Sequence, residues 1–258
     1  MADIEFAVEN GVGTITLNRP KFKNSFTFEM IDEWEEMLRN WRNDPEVAVI
    51  VLTGAGQDFC SGMDFSGGGG PMTAGAFEMK QVLWDRVHRI PLALEDTDKP
   101  VIAAMKGVAV GAGLDMALMC DMRFVSETAR FSEGYVKVGL VPGDGGAYFL
   151  PRLVGIAKAL EMLLTGDFID AREALRIGMV NRVYPDDQLM GEVYSFARRL
   201  AEGPRTVQRM IKRAVYQSSR MDLRSSLDLV SSHVGVVRQT KESQDMFYAA
   251  INKFKKKN

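Results

Sequence analysis

Residues 47–53 read Val-Ala-Val-Ile-Val-Leu-Thr, an almost wholly apolar, β-branched run closed by Gly54. That is the pattern of a strand buried on both faces. A second such run, Val101 to Met105, opens after Pro100. Before them, Ile4–Val8 and Val12–Leu17 alternate around Asn10-Gly11, the strongest short hairpin signal. Met30, Ile31, Trp34, Met37 and Leu38 recur at helical spacing and predict a helix over 27–41. Further helices are expected over 74–94 and 116–120, and a short strand over 122–125. From Ala157 the chain reads mainly as helix, broken at 179–184, with helical stretches at 171–177, 186–202, 204–219 and 222–251. Gly67 to Gly70 form a flexible segment. The expected class is α/β, with residues 1–190 alternating strands and helices and 191–258 helical.

Composition narrows the chemistry. A chain of 258 residues with 46% hydrophobic and 26% charged residues can bury its own core without staples. A net charge of −2 leaves no nucleic-acid footprint. No apolar run approaches the length of a membrane span, and the first residues lack a basic segment followed by an apolar one. A cytoplasmic location is therefore expected, with Cys60 and Cys120 reduced and packed. Two cysteines and two histidines, His88 and His233, are too few for a zinc cluster or a His-rich metal site. His88, beside Arg86 and Arg89, reads as part of a solvated helical face. Carboxylates, phenols and backbone amides are left as candidates.

Two glycine-rich turns follow the buried strands: Cys60-Ser61-Gly62-Met63-Asp64 and Gly107 to Gly113. Glycine lets backbone approach a ligand closely, and a helix N-terminus points free N–H groups outward. Two such turns could aim two N–H groups at one oxygen, which suits chemistry that places negative charge on a carbonyl. Taken singly, each turn is better explained by packing in a tight α/β core. The dinucleotide fingerprint is incomplete, because Met116 stands where the third glycine is required, and this reading is disfavoured. Asp115 follows the second turn and Asp144 sits within Pro142-Gly143-Asp144-Gly145-Gly146. A carboxylate near an oxyanion site can move a proton at the carbon beside a carbonyl. Helix N-terminal placement and turn capping account for each aspartate taken singly.

In order along the chain stand Leu17-Asn18-Arg19-Pro20, Lys23-Asn24-Ser25-Phe26, Val49 to Gly54, Phe59 to Asp64 and Lys99 to Ala104. Gly107-x-Ala109-x-Gly111-Ala112-Gly113, Cys120-Asp121-Met122-Arg123, Gly139 to Gly146, Pro151 to Gly155 and Ala171-x-Glu173-Ala174 follow. Together they resemble the crotonase (enoyl-CoA hydratase/isomerase) superfamily over almost the whole chain. The resemblance implies a spiral of ββα units with a C-terminal helical trimerisation region, assembled as a homotrimer or a hexamer (dimer of trimers). It implies an acyl-CoA thioester as substrate, with coenzyme A arriving as part of it, no separate cofactor and no metal.

The oxyanion donors it implies are the N–H groups of Met63 and Ala112. Substrate contacts map to Lys21, Phe22, Lys23, Ser61, Met63, Asp64, Phe65, Gly111 and Phe254. The two glutamates of typical hydratases fall on Asp115, with a shorter reach, and on Tyr135, which is no carboxylate. In several isomerases the acid of the later loop falls at Gly143, one position before Asp144. The expected roles are Asp144 as main acid/base, Asp115 as a second, and Tyr135 orienting water or donating a proton. A hydratase or double-bond isomerase acting through a thioester enolate is the leading expectation. A C–C bond hydrolase of a β-diketone or cyclic keto acyl-CoA, suggested by Pro-Gly-Asp-Gly, and a non-catalytic CoA-binding protein are the alternatives.

Overall fold

The computed structural model describes residues 2–64 and 75–255, the last three of these by backbone only. The expected flexible segment at Gly67–Gly70 lies outside the described residues. β1 (Ile4–Glu9) and β2 (Val12–Leu17) form the hairpin the sequence requires, with Asn10 and Gly11 both at positive φ (51° and 78°). α1 (Phe28–Asn43) starts at Thr27, whose hydroxyl accepts from Met30 N and so satisfies one free first-turn donor. It buries Met30, Ile31, Trp34, Leu38 and Trp41, the face its periodicity marks. β3 (Val49–Gly54) follows and is buried at every position.

The helix expected over 74–94 is not continuous. α2 (Ala76–Val82) passes into a π-helical turn at Leu83–Val87, and α3 (Arg89–Asp96) follows. Pro91 has no N–H to give to the carbonyl four residues back, and the wider turn is where the ladder shifts. β4 (Val101–Met105) and β5 (Val108–Val110) lead into α4 (Ala112–Leu118), which begins four residues before the expected start. Gly111, at φ 51° and ψ −123°, makes that early start possible by turning the chain in a conformation side chains disfavour.

β6 (Met122–Ser126) and β7 (Arg130–Ser132) precede a 3-10 turn at Gly134–Val138 and α5 (Gly146–Val154). α6 (Ile156–Thr165), β8 (Ile169–Asp170), α7 (Ala171–Arg176), β9 (Arg182–Tyr184) and α8 (Leu189–Ala201) come next. The chain closes with α9 (Arg205–Ser218), α10 (Leu223–Arg238) and α11 (Lys241–Lys255). A single last helix over 222–251 is corrected to two, because the chain breaks at Gln239-Thr240.

The main sheet runs in the order β1-β2-β3-β4-β6-β9, antiparallel at β1/β2 and parallel beyond. Its strands divide their side chains by parity, as the pleat requires. Ile50 and Leu52 face the core under α1, α3 and α4, while Val49 and Val51 face Leu189, Val193 and Ala197 of α8. A smaller sheet, β5-β7-β8, stands beside the first, and a bridge between Cys60 and Ala109 links it to the turn after β3.

Gly13 shows how closely β2 is covered. A Cβ there would meet the Trp41 indole at 2.9 Å, under the closest approach real Cβ atoms make. Gly13→Ala should destabilise the protein by about 1–3 kcal/mol through overpacking, read as a lower urea midpoint with an unchanged slope.

Candidate active site

The two glycine turns meet. A Cβ on Gly62, itself at φ 99°, would lie 3.2 Å from Val110 O and 3.7 Å from the Ala112 and Gly113 nitrogens. Only glycine lets the first turn come this close to the start of α4. The bridge between Phe26 and Met63 uses Gly62 O and Asp64 N, so the Met63 N–H points away from that ladder. Ala112 is the first residue of α4, and its N–H has no partner inside the helix. Among the described residues neither N–H donates a backbone hydrogen bond, and the two flank the Gly62–Ala112 contact.

The segment expected to meet coenzyme A lies against the same turn. Ser61 N donates to Lys23 O (2.9 Å) and Ser61 Oγ to Phe22 O (3.2 Å). Pro20–Phe22 forms a 3-10 turn that leaves Phe22 exposed, and Lys23 and Asn24 take left-handed backbone. Asn24, fully buried, fixes this geometry. Its side chain donates to Ala55 O (2.8 Å) and Asp58 O (2.7 Å) and accepts from Arg19 N (2.9 Å). Asp64 is held by Arg19 Nη2 at 2.7 Å, and the same guanidinium covers the Phe22 ring at 4.7 Å. Arg19, read in sequence as part of the Leu17-Asn18-Arg19-Pro20 motif and given no site role, joins Lys21–Lys23 to Ser61–Asp64. Phe65 lies outside the described residues, as does the side chain of Phe254, whose backbone belongs to α11.

Asp115, Tyr135 and Asp144 come together, although three different elements carry them. Tyr135 Oη lies 2.7 Å from Asp115 Oδ2 and 2.9 Å from Asp144 Oδ2. Asp115 is fully buried in the first turn of α4, and Tyr135 and Asp144 are 8% and 7% exposed. A phenol carries one hydrogen. Both contacts are hydrogen bonds only when one carboxyl also carries a proton and donates it to the phenol oxygen. Burial pushes the Asp115 carboxyl up to about 7, aided by the charge of Asp144 and opposed by the Tyr135 hydrogen bond. Burial also raises Asp144, which the Tyr135 hydrogen bond and His88 draw back down. Burial and both aspartates drive the Tyr135 phenol far above its ordinary range, so it keeps its hydrogen.

Two residues of this site were not assigned to it from the sequence. Glu133 is fully buried, with neither carboxyl oxygen given a donor, and it acts directly on Asp115. In sequence it is one acid in a short polar stretch, indistinguishable from a solvated turn. His88 does not lie on a solvated face: its ring Nε2 is 2.7 Å from Gly143 O, so it carries the proton there and holds the turn before Asp144. His88 directly follows the π-helical turn. Cys60 and Cys120 are buried thiols pushed up to about 12 by desolvation, inert as nucleophiles.

Comparison with known proteins decides the family. The sequence profile described as enoyl-CoA hydratase/isomerase matches residues 7–257. The chain belongs to the enoyl-CoA hydratase/isomerase family. The short-chain-enoyl-CoA hydratase of Clostridium acetobutylicum is 34% identical across 96% of this chain and 94% of its own length. The 1,2-epoxyphenylacetyl-CoA isomerase of Escherichia coli is 36% identical across 86% of this chain and 85% of its own. The crystal structure of an enoyl-CoA hydratase from Mycobacterium smegmatis superposes with a TM-score of 0.91 at 28% identity, covering 98% of this chain and 97% of that one. The crotonase-like α/β architecture expected from the motifs is the one found.

Gly146 offers a sharp test of the site in this family member. It opens α5, and a Cβ there would meet Asp115 Oδ1 at 2.4 Å. Gly146→Ala must displace the carboxyl, and a shift approaching 1 Å should cost on the order of 10²-fold in kcat. Circular dichroism would check that the fold survives.

Proposed function

We propose that the protein acts on an acyl-CoA thioester through a thioester enolate, and that its reaction is the shift of a carbon–carbon double bond. The observation that carries this reading is the pair of buried carboxyls bridged by one phenol. A double-bond shift takes a proton from one carbon and returns a proton to another. The substrate gains and loses nothing, and the pair can reset itself without solvent.

The Met63 and Ala112 N–H groups hold the thioester oxygen, each such donor contributing about 3–4 kcal/mol to the transition state. Asp144, ionised, takes a proton from the acyl chain; the C–H electrons move through the conjugated carbons to the thioester oxygen. Asp115, protonated, gives its proton to the other end of the enolate, and the electrons return to form the new double bond. Asp144 then carries a proton and Asp115 does not. Tyr135 restores the start by accepting from Asp144 while donating to Asp115. The apolar burial that raises Asp115 is what makes it an acid at neutral pH. The segments 21–23 and 61–64 carry the coenzyme A portion, with Gly111 shaping the floor beneath the thioester.

Hydration is the second reading, favoured by the family name and by relatives named as hydratases. There Asp144 would take its proton from water and Asp115 would protonate the carbon next to the thioester.

Mass spectrometry of linear, dienoyl and cyclic enoyl-CoA thioesters separates the two readings: conserved mass with a moved double bond marks isomerisation, gained water marks hydration. Asp144→Asn should abolish turnover while the thioester still binds, and Tyr135→Phe should lower kcat by about 10²-fold or more. Full turnover by Asp144→Asn would overturn the assignment.

We also propose that the chain works as a homotrimer or a dimer of trimers. α9 and α10 contain no buried residue, yet they expose Ile211, Val215, Leu223, Leu227 and Val236. Apolar surface on that scale marks an association site. Sedimentation equilibrium should give three or six chains; a monomer at micromolar concentration would overturn this.

A further inference from the structure

We propose that Glu133 is a positioning residue that stays protonated through the reaction and donates a hydrogen bond to Asp115 Oδ1, holding that carboxyl against Tyr135. The proposal rests on the proton chain above and extends it by one group. Glu133 sits between β7 and the 3-10 turn, and both neighbours are fixed. Ser132 O accepts from Gly111 N at 2.8 Å, Ser132 Oγ donates to Gly166 O at 2.7 Å, and Tyr135 N donates to Glu133 O at 2.8 Å. The side chain therefore cannot withdraw to solvent without moving Tyr135 or the turn that opens α4.

Three carboxyls thus face one another in the interior. The groups acting on Glu133 are Asp115 from α4 and Asp144 from the loop before α5, both acidic. Those acting on Asp115 are Tyr135, Asp144, Glu133 and the Gly146 N–H, and on Asp144 they are Tyr135 and His88. No lysine or arginine is among them. Among the described residues no group of three His, Cys, Asp or Glu side chains is arranged to hold a metal ion. An unpaired buried carboxylate is too costly to keep, and a group so placed neutralises instead.

Among the described residues, the buried side-chain oxygens without a hydrogen-bond partner are both of Glu133 and the Oδ1 of Asp115. One proton on Glu133 answers this. It removes the buried charge and supplies the donor that Asp115 Oδ1 lacks, leaving Oδ2 to Tyr135. Burial and the neighbouring aspartate push Glu133 up to about 10, against about 7 for Asp115. Two carboxyls with acidities pushed apart take different roles. Glu133 keeps its proton while Asp115 exchanges one. Its hydrogen bond also favours the ionised form of Asp115, so Asp115 can release its proton within the cycle.

The test compares Glu133→Gln, which donates a hydrogen bond without titrating, with Glu133→Leu, which does neither. The first arm needs no substrate. Infrared spectra at about pH 8.5, between the two acidities, should show a protonated carboxyl band in the wild type that Glu133→Gln loses. The second arm is the pH profile of kcat. Glu133→Leu should lose about 10²-fold and move the limb belonging to Asp115 to higher pH, and Glu133→Gln should restore most of the loss. The third is stability. The folded chain keeps the Glu133 proton to about pH 10, whereas an unperturbed glutamate releases it near 4.5. Its contribution is therefore full below 4.5 and lost as pH rises towards 10. Glu133→Gln should flatten the fall in Tm across that window.

A carboxyl band that persists in Glu133→Gln, or an activity loss in Glu133→Gln equal to that in Glu133→Leu, overturns the proposal. Should Glu133→Leu fail to fold, the infrared and stability arms of Glu133→Gln still decide. An absence of turnover on every thioester would count against the proposed reaction and leave those two arms to judge Glu133.

Discussion

A single phenol hydrogen cannot serve two carboxylates. Tyr135 Oη nevertheless stands within hydrogen-bond distance of both Asp115 and Asp144, and all three groups are shut away from water. Two full hydrogen bonds there need one proton more than a pair of ionised aspartates supplies. The surrounding backbone conforms to that requirement. Gly146 lacks a Cβ where Asp115 needs room, and Gly111 turns the chain so that Asp115 falls in the first turn of α4. His88 pins the turn that carries Asp144.

The parallel sheet makes this constellation possible. β3 and β4 end side by side, and each is followed by a glycine turn. Gly62 lets those turns touch, its Cα side lying against Val110 O and the Ala112 nitrogen. β5 and β7 pair in parallel and bring Ser132, Glu133 and Tyr135 up to Gly111. Ladder hydrogen bonds thus fix the backbone on which these side chains stand. On the outer side, Arg19 and Asn24 hold the Lys21–Lys23 turn against Ser61–Asp64 through a half-buried ion pair and buried amide bonds.

Much of this was legible in the residues. The hairpin at Asn10-Gly11, the α1 face and the doubly buried β3 follow from local rules, because turn chemistry and hydrophobic period act over a few residues. The motif order pointed to the family and to Asp115, Tyr135 and Asp144 as one site. The failures also have local causes. The π-helical turn at Leu83–Val87 leaves no periodic mark, since one inserted residue shifts the face without changing composition. The start of α4 at Ala112 depends on Gly111 being held by Ser132 O, a contact between segments 21 residues apart. Glu133 and Arg19 looked like ordinary charges because burial of a charge is a property of what packs over it.

The sequence by itself determined the hairpin, the buried face of α1 and the doubly buried β3, and marked Asp115, Tyr135 and Asp144 as candidates, because those follow from side-chain chemistry, short-range period and motif order. Only the tertiary structure decided which acids are buried around one phenol. Asp115, Glu133 and Asp144 have the same ordinary acidity range in an extended chain. Desolvation and mutual repulsion separate them only after β7, α4 and the loop before α5 close around one phenol.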